Sequence, residues 1–171
     1  MVVHKSTILA ELKQKKPFHS RYQEALLALM RTAAVAKRPL VKVVEAVGLS
    51  LAQYNVLRIL RGAGADGLPT LAIRERMVED AAGITRLIDK LEAAGHVTRE
   101  RATPDRRLVL CRITKDGLNL LAELEEDVAE ADAAVLCVLD DEELDQLIVL
   151  LDKARTADAA AGKRRKLRAR A

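Results

Sequence analysis

One stretch of the chain resists being read as helix, and it limits what its surroundings can build. Residues 97–102 (VTRERA) and 107–113 (RLVLCRI) are short, carry β-branched positions, and flank Thr103-Pro104-Asp105. Two such runs around a Pro-Asp turn predict an antiparallel hairpin, because Pro presets φ and Asp bonds to amides just beyond it. Its tip is charged, with Asp105 followed by Arg106 and Arg107. Lone hairpins are marginal in water, so this one must lie against something else.

That something is helical on both sides. Residues 1–18 read as an arm or short helix ending near Pro17. Ser20 can cap a helix to Lys37, in which Leu26, Leu29, Met30 and Ala33 recur at helical spacing. Pro39 predicts a kink or break at Arg38, followed by a second stretch, Leu40–Val47, ending at Gly48. Ser50 and Gln53 have capping-box spacing and open a helix bearing Val56, Leu57 and Leu60. A glycine-rich loop over 62–67 ends it. Thr70 is then a candidate cap for the short helix Leu71–Met77, and a longer helix spans Ala81–Ala94 with Gly95 as its terminator. Beyond the hairpin, Thr114 caps a long helix to about Leu139. Asp140 and Glu143 form another capping box before the stripe Leu144, Leu147, Ile148, Leu151.

The order is helix, turn, helix, charged-tip hairpin, with further helices outside, which is the winged helix-turn-helix arrangement. The fold class expected is mainly α with a small two-stranded β wing. Composition agrees: half the residues are hydrophobic but only 2 % are aromatic, so the core is built from Leu, Ile, Val and Ala.

Charge is unevenly placed. Met1–Pro69 has 11 Lys/Arg against 4 Asp/Glu, Thr70–Lys115 has 10 against 7, and Asp116–Ala160 has 2 against 14. The segment from Lys163 to Ala171 adds six positive residues and no negative ones. Local patches, not the net charge of +4, therefore decide which partners approach.

The helix over 81–94 has an apolar face of Ile84, Leu87, Ile88 and Leu91. Its other face shows Ala82, Gly83, Thr85, Arg86, Asp89 and Lys90. Small residues let a helix sit deep in a major groove, and Thr and Arg can bond to base edges. Arg86 suits a bidentate guanine contact and Lys90 a phosphate. The plainer alternative is an ordinary solvated face. Arg106 and Arg107 on a narrow projection suit a minor groove, whose negative potential attracts arginine. Asp105 is placed to hold an arginine or the turn. The basic tail over 157–171 could follow the DNA backbone, or simply solubilise the chain.

Other chemistry finds little support. His4, His19 and His96 lack metal-ligand spacing, and no nucleophile-elbow, P-loop or dinucleotide motif occurs. No cofactor, metal or enzyme is expected. Cys111 and Cys137 are too few for a disulfide framework. Cys111 lies between Arg107 and Arg112, charges that could lower a thiol pKa, but a small packed side chain is the simpler reading. No apolar run reaches the roughly 20 residues of a membrane span, and the N-terminus lacks a signal-peptide pattern, so a cytoplasmic location is expected.

The segments GLSLAQYNVLRIL and LPTLAIRERMVEDAAGITRLIDKLEAAGHVTRERATPDRRLVLCRITKDGLNLL resemble the MarR family of bacterial regulators. The likeness covers Leu49–Leu121 closely and the outer helices more loosely. It is most specific in TRLIDKLEAAG, the DRR wing and ITKDG. The resemblance implies a homodimer joined by its outer helices, binding double-stranded DNA at a palindromic site. The divisions expected are an arm and dimerisation helix over 1–48, the DNA-binding lobe over 49–113, dimerisation helices over 114–156 and the tail over 157–171. Within the lobe the DNA-binding set is Thr70, Ala82, Gly83, Thr85, Arg86, Lys90, Arg106 and Arg107. The resemblance also implies a pocket for a small aromatic or phenolic effector, with Arg21, Tyr22, Tyr54 and Arg58 as candidate lining. Two details depart from the family pattern. Gly83 falls inside the expected recognition helix, at a cost of about 1 kcal/mol, and His96 stands where an apolar residue is usual. Two competing functions are a winged-helix module that binds protein, and a redox switch acting through Cys111.

Overall fold

The computed structural model describes residues 7–80, 83–101 and 109–168, with side-chain surroundings up to residue 156. The chain divides into two compact units, residues 1–132 and 133–171.

In the first unit, the short α1 (Ile8–Glu11) precedes α2 (Arg21–Ala46) and α3 (Leu51–Ala63). After a 3₁₀ turn at Gly64–Asp66 come β1 (Leu68–Pro69), α4 (Thr70–Arg76), α5 (Ile84–Ala93), β2 (Val97–Arg101) and β3 (Val109–Ile113). Then α6 (Lys115–Glu123) leads to α7 (Glu125–Leu136), whose last turn enters the second unit, where α8 (Asp141–Arg168) follows.

The caps are chemical, not incidental. Ser20 Oγ accepts from the Gln23 amide at 3.2 Å at the start of α2. Ser50 and Gln53 close a full capping box on α3. Thr114 Oγ1 accepts from the Gly117 amide and donates to the Gly95 carbonyl, binding the start of α6 to the end of α5. Asp140 and Glu143 cap α8 reciprocally, as expected. Each satisfies amides that an uncapped helix end leaves open. Gly95 ends α5 at φ 79, with the His96 amide bonded to the Leu91 carbonyl.

α3 is the hub. It packs against α2, α4, α5, α6 and β3. Around it Val44, Val56, Leu57, Leu60, Ile73, Ile88, Leu91, Val97 and Cys111 are almost wholly buried. β3 lies between β1 and β2 in an antiparallel three-stranded sheet, with Leu68 opposite Cys111 and Arg99 opposite Cys111 on the other side.

Several details correct the sequence reading. No break occurs at Pro39; α2 runs unbroken through it. An internal proline removes one backbone bond and costs about 3 kcal/mol. Here Leu40, Val43 and Val44 hold the following turn against the core. The expected helix from Thr114 to Leu139 is divided at Leu124 and ends at Leu136. Backbone bonds still cross the joint, from Leu124 N–H to Leu120 O and from Val128 N–H to Leu124 O. Thr70 is the first residue of α4 and not its cap, which is Pro69.

The sheet also has one strand more than expected, the two-residue β1. Gly67 makes room for it: φ is +66, and a Cβ there would sit 2.6 Å from the Cys111 carbonyl oxygen. Only glycine allows both that backbone and that approach.

Candidate nucleic-acid interface

α5 begins later than the pattern suggested. Gly83 is not within the helix; it occupies the N-cap position at φ 99, ψ 28, in left-handed space. The expected propensity cost therefore disappears, and glycine becomes the residue that allows the turn into α5. The helix buries Ile84, Ile88 and Leu91 and half-buries Leu87. Gly83, Thr85, Arg86 and Lys90 are exposed. Arg86 and Lys90 form no ion pair among the described residues.

The turn before α5 is tied from two sides. The Val78 amide donates to Asn55 Oδ1 on α3 at 3.1 Å. Lys37 on α2 pairs with Glu79, and Arg74 pairs with Asp80 at 3.2 Å. Thr70 is half-buried, and its hydroxyl lies 4.0 Å from Cys111 Sγ. Ala82 and the wing-tip residues Asp105, Arg106 and Arg107 lie outside the described residues.

Beside α5 a groove of about 780 Å³ opens between α2, α3 and the α4–α5 turn. Leu40, Leu51, Met77 and Leu87 form apolar walls. Lys37, Arg58, Arg86 and Lys90 bring positive charge and Glu79 and Asp80 negative charge, with Glu79 paired to Lys37 and Asp80 to Arg74. Of the four candidate effector residues, Tyr54 and Arg58 line it. The Arg58 guanidinium lies over the Tyr54 ring, 5.8 Å from its centre. Burial raises the Tyr54 phenol pKa above its ordinary value, and Arg58 opposes that rise in part. Arg21 and Tyr22 do not line the groove; they start α2, and Tyr22 is 89 % exposed. Lys37, Asn55 and Met77 were not foreseen, since only the folded chain brings α2, α3 and the turn together.

Cys111 is fully buried between β1 and β2. Arg112, its neighbour, turns away and binds Glu100 at 2.5 Å and the Ala65 carbonyl at 2.7 Å. His96 is half-buried, and its Nδ1 is enclosed without a hydrogen-bond partner among the described residues.

A two-helix reader whose second helix is followed by a β hairpin defines a winged helix-turn-helix protein. Residues 47–108 match the model of the MarR family. The HTH-type transcriptional regulator YkoM of Bacillus subtilis is 34 % identical over 107 residues, spanning 63 % of this chain and 68 % of its own. A MarR transcription factor from Planctomyces limnophilus is 40 % identical, covers 80 % of this chain and 98 % of its own, and superposes with a TM-score of 0.61. A cysteine-to-serine mutant of Escherichia coli MarR, in complex with operator DNA, shares the fold with a TM-score of 0.72 at 21 % identity, over 81 % of this chain and 99 % of its own. The chain belongs to the MarR family: it is a DNA-binding transcriptional regulator and not an enzyme. Among the described residues, no single helix is long and apolar enough to cross a membrane.

Proposed function

We propose that this regulator is a homodimeric, effector-responsive repressor that reads a palindromic operator with α5. The observation that carries this reading is the exposed row Gly83, Thr85, Arg86 and Lys90 on a helix whose other face is locked into the core. Gly83 and Ala82 allow close approach to the groove floor. Thr85 and Arg86 meet base edges, Arg86 as the guanine reader, while Lys90 meets phosphate. Arg106 and Arg107, steadied by Asp105, follow the adjacent minor groove. Such a protein acts in the cytoplasm, where bacterial DNA is reached.

The dimer reading rests on unsatisfied apolar surface. On α2, Leu26 is 57 % and Met30 61 % exposed, with Tyr22 and Leu29 on neighbouring turns. On α8, Ile148, Val149 and Leu150 are likewise exposed. Contiguous exposed apolar patches of this kind mark interfaces, and a second copy would cover them. The helices flanking the 49–113 lobe thus serve as the dimerisation segments, and the basic tail over 157–171 adds salt-sensitive affinity or solubility.

The groove supports an effector. Apolar walls with Tyr54, Arg58, Arg86 and Lys90 suit a flat aromatic or phenolic acid, its ring against Leu40 and Met77 and its carboxylate toward the cations. BpsR of Bordetella bronchiseptica, a fold neighbour at 24 % identity and a TM-score of 0.71, has its DNA binding regulated by 6-hydroxynicotinic acid. An anion held by Arg86 and Lys90 would take the side chains that operator DNA needs.

Selection of bound duplexes from a random pool tests the reading. Wild type is expected to enrich a palindrome, Arg86→Ala to relax it, and Arg107→Ala to weaken binding without changing the consensus. Weak binding to all duplexes with no enriched sequence would refute a sequence-specific regulator and favour a protein-interaction module.

A further inference from the structure

Arg99 is an arginine of the DNA-binding lobe with a different fate from Arg86. It lies on β2, on the same face as the buried Val97, and only about a quarter of its side chain is exposed. Its guanidinium reaches across to α5. Nη2 donates to Asp89 Oδ1 at 2.5 Å and to the Thr85 carbonyl at 3.3 Å, and Nη1 lies 3.5 Å from Glu92 Oε2. Thr85, Asp89 and Glu92 stand at i, i+4 and i+7, one side of the helix over about 10 Å of its length. A single planar fork therefore grips α5 from its first turn to its last.

The electrostatic setting explains why such a grip matters. Asp89 lies three residues from Arg86 and next to Lys90, on the helix proposed to face DNA. Left unpaired, its carboxylate would repel phosphate and draw the Arg86 guanidinium along the helix, away from a base edge. Paired with Arg99, it does neither. We infer that Arg99 is a positioning residue for DNA recognition: it fixes α5 against the wing strand and occupies Asp89 and Glu92, leaving Arg86 and Lys90 free to face the duplex. Its fork is engaged with protein, so it reads no base itself.

This inference rests on the reading that α5 contacts DNA, and the test separates the two. The palindrome selected by wild type and a scrambled duplex of equal length are titrated at one salt concentration, and thermal unfolding is followed for every variant. Arg99→Ala is expected to lower the operator-to-scrambled affinity ratio about tenfold or more, as coupled ion-pair networks do. Arg99→Lys, which keeps the charge but loses the fork, should recover part of that loss. Asp89→Asn added to Arg99→Ala should recover part as well, because the unpaired carboxylate is gone. A purely structural role would not be relieved by removing Asp89. An unchanged ratio in Arg99→Ala, or a loss that both rescuing changes leave untouched, overturns the inference. Arg86→Ala is the control. If it too leaves the ratio unchanged, the α5 reading itself fails; if it lowers the ratio while Arg99→Ala does not, only the role of Arg99 fails.

Discussion

The lobe around α3 and the first half of α2 carry the same kind of apolar pattern and end in opposite conditions. In the lobe Val56, Leu57, Leu60, Ile73, Ile88 and Leu91 are all closed off from solvent. On α2, Leu26, Leu29 and Met30 repeat with equal regularity and remain open. Helical periodicity identifies a face that wants burial, but the covering element is a separate fact. In the lobe the chain supplies it, from the sheet and the neighbouring helices. On α2 a second copy would supply it. A self-sufficient lobe beside an uncovered helix face suits the proposed dimer, in which pairing would not disturb the packing around α3.

The difference faces its most severe test in the core. Leu57→Ala, at the centre of α3, is expected to cost about 2–5 kcal/mol, the range for a fully buried leucine whose cavity cannot collapse. Chemical denaturation measures it, and a loss within the range of surface substitutions would show that α3 is not the hub. Gly67→Ala should cost about 1–3 kcal/mol, because a left-handed φ and a backbone collision coincide. A neutral result there would mean that β1 does not pair with β3 in solution.

The pair Leu26→Glu with Met30→Glu should do the reverse. On an open face it is expected to change the stability of the lobe by no more than about 0.5 kcal/mol while converting a dimer to a monomer in sedimentation. Unchanged oligomeric state would remove α2 from the interface. The smallest effect concerns Tyr54. Its pKa is raised in the folded chain, mainly by burial, so the folded state keeps the phenol proton to higher pH than the unfolded chain does. Stability should then fall as pH rises above the ordinary tyrosine value of 10.0, less steeply in Tyr54→Phe. Identical alkaline profiles for the two would place the phenol in solvent.

Much of this architecture is legible before folding because its signals are local. The caps at Ser20, Ser50, Thr114 and Asp140 and the glycine stop at Gly95 act within four residues and lie where spacing puts them. The misreadings have tertiary causes. Pro39 argues locally for a break, but the packing of Leu40, Val43 and Val44 keeps α2 continuous. β1 is two residues long and shows no periodicity; the backbone of β3 alone defines it. The exposed face of α5 follows from its apolar stripe, whereas its true start depends on the left-handed turn at Gly83. The groove is less legible. Of the four residues that the family resemblance suggests, Tyr54 and Arg58 line it and Arg21 and Tyr22 do not, while Lys37, Asn55 and Met77 come from three separate elements. Arg99 reads as one more wing charge until the hairpin is laid against α5.

Everything proposed for the interface depends on Arg86 of α5 reading a base, and a base-substitution profile shows whether it does. Each pair of the selected duplex is replaced in turn, and binding of wild type and Arg86→Ala is measured at fixed salt. Wild type is expected to lose about 1–3 kcal/mol at one G·C pair in each half-site, and Arg86→Ala to be indifferent at that pair alone. A uniform loss by Arg86→Ala across every duplex, with the wild-type profile otherwise kept, would make Arg86 a phosphate contact and contradict base reading by this residue.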